Sequence, residues 1–385
     1  MKNLLKLALL FAPLLCSCSE DDNSEKYESK VIEMTRAEVE VKNASNLFAW
    51  KIFGQICNQT EGNVFISPLS AQMQLSMLAN GTDGPVLEEL IAALGFGGMP
   101  ISDVNSFNHL MLDELPKHDN KVELTIANGL WLQNGYDIDD SYVNTLKKDY
   151  AAEVRNLDLR NNPSKAATEI NSWCREKTNG GIDKIVETLS PETVMMLANA
   201  IYFKGQWKEP FNVKDTSTRP FTCNDGETSM VKTMYQNYKG SCNEFEGCKI
   251  AQLLYGKGRY RMFIILPDEG ETVESCCSKI ASNQIDPDAL AYCNIFLHMP
   301  KFDITFDLDL NKHLPSVPNV SEMKQKAHIT VDEEGTVAQT VTHSKGDLAF
   351  EPGSDVDFDV NRPFAFFIKE ISTGTILFMG RVNKL

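Results

Sequence analysis

The 385-residue sequence lacks the signatures by which most enzymes announce themselves. It has no G-x-S-x-G, no Walker loop, no H-E-x-x-H and no G-x-G-x-x-G on a strand–helix turn. None of its ten cysteines forms a C-x-x-C, and the six histidines are scattered away from them, so no metal centre and no cofactor is expected. Basic clusters are missing as well. With 37 Lys and Arg against 53 Asp and Glu the net charge is −16, which repels phosphate backbones and argues against nucleic-acid partners. The remaining acidity reads as solubility. From Ala44 onward there is no linker rich in Pro, Gly or Ser, no repeat and no low-complexity stretch, so one continuous domain is expected.

What is present begins with an address. Lys2 precedes and Lys6 interrupts a short apolar run, Leu4 to Leu15, too short to cross a bilayer comfortably. It reads as a signal peptide. Leu15-Cys16-Ser17-Cys18 resembles the lipobox of bacterial lipoproteins, with Cys18 as the acylated residue. The acidic Ser19-Glu20-Asp21-Asp22 resembles tracts that send lipoproteins to the outer face of the outer membrane. The expected organisation is a signal peptide over 1–17, an acidic tether over 18–40 and one domain over 41–385.

Two periodicities follow. Helices are expected over Ser45 to Ile56, from a Ser67 cap with Pro68 at the first position, over Val86 to Leu94 before Gly95, over Tyr142 to Tyr150 and over Ala166 to Thr178. Strands are expected over Leu124 to Leu132, Val194 to Phe203, Ala251 to Tyr255, Arg261 to Leu266, Ile295 to Ile304, Phe364 to Ile371 and Thr375 to Val382. Helices dominate the first half and strands the second, an α+β class. The cysteines outside the signal region read mostly as small buried residues, although a pair such as Cys242 and Cys248 could bridge a loop.

Five segments, in order, identify the family. They are Asn63-Val64-Phe65-Ile66-Ser67-Pro68-Leu69-Ser70; Asn171-Ser172-Trp173 with Thr178-Asn179-Gly180-Gly181-Ile182; Leu197 to Trp207 (LANAIYFKGQW); Arg362 to Ile368 (RPFAFFI); and Gly374 to Val382 (GTILFMGRV). Together they resemble the serpins across nearly the whole mature chain. The resemblance implies a serpin fold, helices packed around three β-sheets, with an exposed reactive-centre loop at about 333–361. It implies a monomer that traps serine proteases, with cysteine proteases as a further class, and catalyses nothing itself.

Glu333-Glu334-Gly335-Thr336-Val337-Ala338-Gln339-Thr340-Val341-Thr342 resembles the serpin hinge, from which a cleaved loop inserts as a new strand. Alternate residues Thr336, Ala338, Thr340, Thr342, Ser344, Gly346 and Leu348 are small or apolar and uncharged. The other set, Val337 to Asp347, holds every ionisable residue of the stretch, as a half-buried strand requires. The resemblance puts the reactive bond at Ala349–Phe350, which suits elastase-like or subtilisin-like proteases. A slip of one residue would present Leu348 or Phe350 to chymotrypsin-like enzymes, and Lys345 offers a trypsin-like site. The interval from Gly335 to Asn361 is longer than usual for the family.

Ser67, Ser70, Asn199 and Gln325 fall in the family's sheet-opening region, where Gln325 replaces the usual His. Between Leu310 and Ser321 the chain lacks a segment that most serpins carry. Ser229-Met230-Val231-Lys232 matches the S-x-x-K of penicillin-binding proteins, without its companion motifs and in strand-like surroundings. The competing reading is a non-inhibitory serpin whose loop is a plain substrate, acting as a surface binding module.

Overall fold

The computed structural model describes residues 31–313, 320–335 and 353–385. Its first helix, α1 (Arg36–Gln59), starts inside the stretch expected to be tether. The cause is local: Thr35 and Glu38 form a capping box, Thr35 Oγ1 accepting the Glu38 N–H and Glu38 Oε2 accepting the Thr35 N–H at 2.7 Å. Ile32 is already buried, so the compact unit takes in residues from Ile32 onward.

Next come β1 (Val64–Ile66), α2 (Pro68–Ala79), α3 (Gly84–Leu94), α4 (Ile101–Glu114), β2 (Val122–Gln133), α5 (Asp140–Asp149) and β3 (Glu153–Leu157). They are followed by α6 (Pro163–Lys177), β4 (Met195–Gly205), β5 (Ser217–Thr222), β6 (Thr228–Phe245), β7 (Cys248–Leu254), β8 (Tyr260–Pro267) and α7 (Val273–Ala281). The chain ends with β9 (Ala291–Pro300), β10 (Phe302–Asp309), β11 (Glu322–Val331), β12 (Asp355–Asp359), β13 (Phe364–Glu370) and β14 (Thr375–Val382). Ser67 caps α2 with Pro68 at its first position, and α3 closes on a left-handed Gly95, both as the sequence indicates. The strand expected over Ile295 to Ile304 is two strands broken at Lys301, because β9 and β10 belong to different sheets.

Among the described residues the strands form two continuous hydrogen-bonded networks, the larger of which joins two of the three expected sheets. One has the order β10-β11-β4-β2-β3. The other runs β1-β14-β13-β8-β7-β6-β9-β12, with β5 also on β6. Two expected sheets merge because the long β6 pairs with β5 and β9 through its first part and with β7 through its last residues.

Both faces of the five-stranded sheet are covered. On one face Met195, Leu197, Ile201 and Phe203 of β4 enter the main core, where Phe203 meets Phe378 and Tyr255 of the second sheet at 5.6 and 5.0 Å. On the other face Met196, Ala198 and Ala200 pack under α6 and the segment after it, together with Trp131 and Trp173. That is why β4 reads as a nearly unbroken apolar run.

Two buried charges tie distant segments together. Arg381 on β14 donates to the carbonyls of Cys57, Thr60 and Gly62, closing the open end of α1, and pairs with Glu274 at 2.6 Å. Glu370 accepts from Ser372 N–H, Thr373 N–H and Thr373 Oγ1 at 2.6–2.8 Å and lies 3.2 Å from His118 Nε2. Burial alone would push this carboxyl upward, but those bonds outweigh it and hold the pKa at about 2, against 4.5 for an ordinary glutamate. A depressed carboxylate contributes stability above its unfolded pKa and loses it as pH falls toward its folded one. Acid unfolding between about pH 4.5 and pH 2 should therefore lose on the order of 3 kcal/mol from this group. In urea titrations across that range, Glu370→Gln should be weaker than wild type at pH 6 and fall less steeply with acid; a parallel fall of both proteins would contradict it.

Candidate functional site

The site grows from one irregularity in the five-stranded sheet. Strands β4 and β11 are parallel neighbours, yet their ladder covers only Met196–Ala200 against Glu322–Lys326. Above it, Ile201–Gly205 and Ala327–Val331 remain strand but share no rungs. Each stays anchored on its outer side, β4 to β2 and β11 to β10. The middle of the sheet thus contains a slit five residues long on each side.

Below the slit the sheet is locked by buried amides. Gln325, 2 % exposed, lies opposite Asn199 in the ladder. Its Nε2 donates to the Ser67 carbonyl at 2.8 Å while its Oε1 accepts the Ser67 N–H at 2.9 Å. A carboxamide offers donor and acceptor side by side, which matches the backbone of one residue in a way that diverging imidazole nitrogens do not. Unlike a histidine, it does not titrate near neutrality. Ser67 Oγ donates to the Leu377 carbonyl at 2.8 Å and accepts the Ser70 N–H, tying α2 to β14. Asn199 Nδ2 donates to Asn128 Oδ1, and Asn128 Nδ2 donates to the Tyr150 carbonyl, each at 2.8 Å. Asn199 Oδ1 is buried without a partner.

Above the slit the strands are clasped. After β11 the chain turns through Asp332–Gly335, with Asp332 N–H donating to the Gly335 carbonyl at 2.9 Å and Gly335 N–H donating back at 3.3 Å. Trp207 holds this turn: its backbone N–H donates to the Glu334 carbonyl and its indole N–H to the Asp332 carbonyl, both at 2.9 Å. The indole is itself fixed by stacking on Tyr255 at 4.3 Å. Glu333 is buried, accepting from Thr216 Oγ1 at 2.7 Å and paired with Lys301 at 2.5 Å. Burial raises its pKa, but Lys301 and Thr216 together hold it below the ordinary glutamate value. Gly335 has φ of 140°, and a Cβ there would lie 2.2 Å from the Gly205 carbonyl oxygen, so only glycine fits. Gly335 also bridges antiparallel to Gln206, just past β4, and to Asp332.

A family profile described as Serpin (serine protease inhibitor) matches residues 43–318 and 318–385. The chain is a serpin. An uncharacterized serpin-like protein of Thermococcus kodakarensis is 31 % identical over 365 residues, covering 89 % of this chain and 85 % of its own. The leukocyte elastase inhibitor of Equus caballus is 29 % identical over 379 residues, covering 89 % and 99 %. The crystal structure of the thermophilic serpin tengpin in its native state superposes with a TM-score of 0.81 at 28 % identity, covering 92 % of this chain and 95 % of that one. Serpins are protease inhibitors rather than enzymes, and the family fold is the one described above.

The structure brings Ser67, Ser70, Asn199 and Gln325 together below the slit and Glu333, Glu334 and Gly335 above it. Thr336, Ala338, Thr340, Thr342, Ala349, Phe350 and Cys18 lie outside the described residues. The short connection after Leu310 begins as a single 3-10 turn, Leu310–Lys312, and its residues 314–319 also lie outside. Sequence reasoning missed Lys301, Thr216 and Asn128. Nothing local marks them, because each gains its partner only through the tertiary fold. Ser229 to Lys232 lie along strand β6 with Met230 exposed, which is no nucleophile's pocket.

Gln325→Leu removes both bonds to Ser67 and leaves its buried N–H unpaired, while its carbonyl keeps only the Ala71 N–H, at about 2 kcal/mol. Amide exchange along Met196–Ala200 and Glu322–Lys326 should accelerate by more than tenfold relative to wild type. Unchanged protection there would mean that Gln325 does not hold the sheet shut.

Proposed function

We propose that this serpin is a suicide inhibitor whose reactive-centre loop, once cut, enters the slit between β4 and β11. The observation that carries this reading is the pairing of Gly335, which already forms one antiparallel rung with both sides of the slit, Asp332 and Gln206. Continuing that register sets Thr336, Ala338, Thr340, Thr342 and Ser344 opposite Val331, Ile329, Ala327, Gln325 and Met323 of β11. On the other side it sets them opposite Gly205, Phe203, Ile201, Asn199 and Leu197. All five β11 partners are buried. Directly opposed residues share a face, so the uncharged half of the loop would face the core and the ionisable half would not.

The two registers agree with each other. Both assign Thr342 a place between Gln325 and Asn199, which are themselves partners in the closed ladder. A hydroxyl arriving there would find the orphan Asn199 Oδ1. Residues up to Thr340 would fill the slit without breaking a rung, and insertion from Val341 onward must unzip Lys326 from Ala200 and the rungs below.

In the reaction the target's serine hydroxyl attacks the Ala349 carbonyl, forms an ester and releases the Phe350 amine. Insertion then drags the acylated protease from the loop's end before water reaches the ester. The native state stores the free energy for this as an incomplete sheet held by the clasp and the lock. Ala349 suits elastase-like or subtilisin-like proteases, with chymotrypsin-like enzymes served by Leu348 or Phe350. The likeness to leukocyte elastase inhibitors supports the first group. An acyl chain on Cys18 would hold the protein on the outer membrane, facing proteases outside the cell. Membrane fractionation checks the anchor: Cys18→Ala should move the protein to the soluble fraction, and retention in membranes would refute it.

Mixing the protein with an elastase, a subtilisin, a chymotrypsin and a trypsin tests the trap itself. A denaturant-resistant band at the summed mass, with a released peptide beginning at Phe350, is expected. Ala338→Arg should turn the inhibitor into a substrate, whereas Gln339→Arg, one residue on and facing solvent, should leave trapping within about twofold of wild type. Clean loop cleavage by all four proteases with no complex would instead support the non-inhibitory reading.

A further inference from the structure

The eight cysteines of the body are all buried as free thiols, and one contacting pair, which the inhibitory mechanism does not use, joins a helix to a strand. The pair is not the Cys242 and Cys248 that the sequence suggests. In the β6–β7 hairpin Cys242 lies opposite Ala251 and Cys248 opposite Phe245, three rungs apart and out of reach. Cys248, the first residue of β7, instead faces Cys276 on α7. Cys276 Sγ–H donates to the carbonyl of Gly247, next to Cys248, at 3.4 Å, which sets the two side chains against each other. Both residues are 0 % exposed. The turn that presents Cys248 is fixed on both sides, by Lys279 Nζ donating to the Glu246 carbonyl at 3.1 Å and by Asp268 N–H donating to the Gly247 carbonyl at 2.9 Å.

We propose that Cys248 and Cys276 form a disulfide when the chain folds in an oxidising compartment, stapling α7 to β7. With Cys276 Sγ already held at the backbone beside Cys248, small side-chain rotations bring the sulfurs to bonding distance. Cys242 and Cys293 also have their side chains in contact, and Cys293 Sγ donates to the Cys242 carbonyl at 3.6 Å. They sit on a diagonal of the β6–β9 ladder, opposite Ala291 and Gly240 respectively, where residues stand about 7–8 Å apart with Cβ atoms somewhat closer, farther than the roughly 4 Å between the Cβ atoms of a bridge. In forming the Cys248–Cys276 bond the two thiols lose two protons and two electrons. The acceptor is a disulfide, that of a dithiol oxidase outside the cytoplasm or glutathione disulfide in vitro, which is reduced to two thiols. Because both sulfurs are sealed in the native core, exchange takes place before α7 packs down. The staple lies in the nine-stranded sheet and spans none of the strands that part at the slit. It should stabilise the body without restraining loop insertion.

The occurrence of this bond in the cell rests on the extracytoplasmic reading above, so the test is made on purified protein, where location plays no part. The protein is refolded with mixed reduced and oxidised glutathione, blocked with iodoacetamide in denaturant and mapped by mass spectrometry without reduction. A cross-linked peptide pair holding Cys248 and Cys276 is expected. The oxidised protein should melt on the order of 5 °C above its reduced form, a difference that Cys248→Ser/Cys276→Ser abolishes. Its stoichiometry of inhibition, where trapping is observed, should not change with oxidation. Unbridged Cys248 and Cys276 after refolding, a dominant bridge to Cys293, or a melting point indifferent to reductant would each overturn the proposal.

Discussion

Five rungs between Met196–Ala200 and Glu322–Lys326 keep the five-stranded sheet closed, and the rest of the molecule is arranged around their small number. A sheet of parallel strands normally pairs along its full length, because every unpaired backbone group buried away from water costs free energy. Here pairing stops halfway while both strands continue. The deficit is local and tolerable, since β2 and β10 secure the outer edges. What remains is a structure one strand short of complete.

The two ends of the slit are restrained differently, and the difference suits their tasks. Below, Gln325 makes a two-bond amide match to the Ser67 backbone inside a fully buried network, which is strong as long as the side chain stays in place. Above, the restraint is backbone bonding from Trp207 to a turn whose glycine no other residue can replace. Under the proposed insertion, opening the sheet exchanges one set of ladder bonds for a larger one.

The nine-stranded sheet supplies the opposite property. Its inner strands β8, β13 and β14 are buried on both faces, and Arg381 and Glu370 fasten it to α1 and to the His118 segment. A rigid back and a yielding front let strain concentrate in one place rather than spread through the fold. The thiol pair at Cys248 and Cys276 belongs to the rigid part.

Much of this was legible in the residues. Ser67-Pro68 dictates a helix start, Gly95 a helix end, and the apolar runs of β4, β13 and β14 buried strands, because caps and periodicity are local properties. The alternation of small and ionisable residues after Gly335 is local too, and so was readable before any strand was there to receive it. The start of α1 was misjudged because the capping box at Thr35 outranks the acidic composition around it. The break at Lys301 was invisible because the same period continues into a different sheet. The pairing of Cys248 with Cys276 instead of Cys242, the burial of Glu333 against Lys301, and above all the halt of the β4–β11 ladder at Lys326 depend on segments far apart in the chain. The family motifs and the alternation after Gly335 are written in local stretches of residues; where the sheet stands open follows from the tertiary fold, because a missing rung is a relation between two strands and is written in neither.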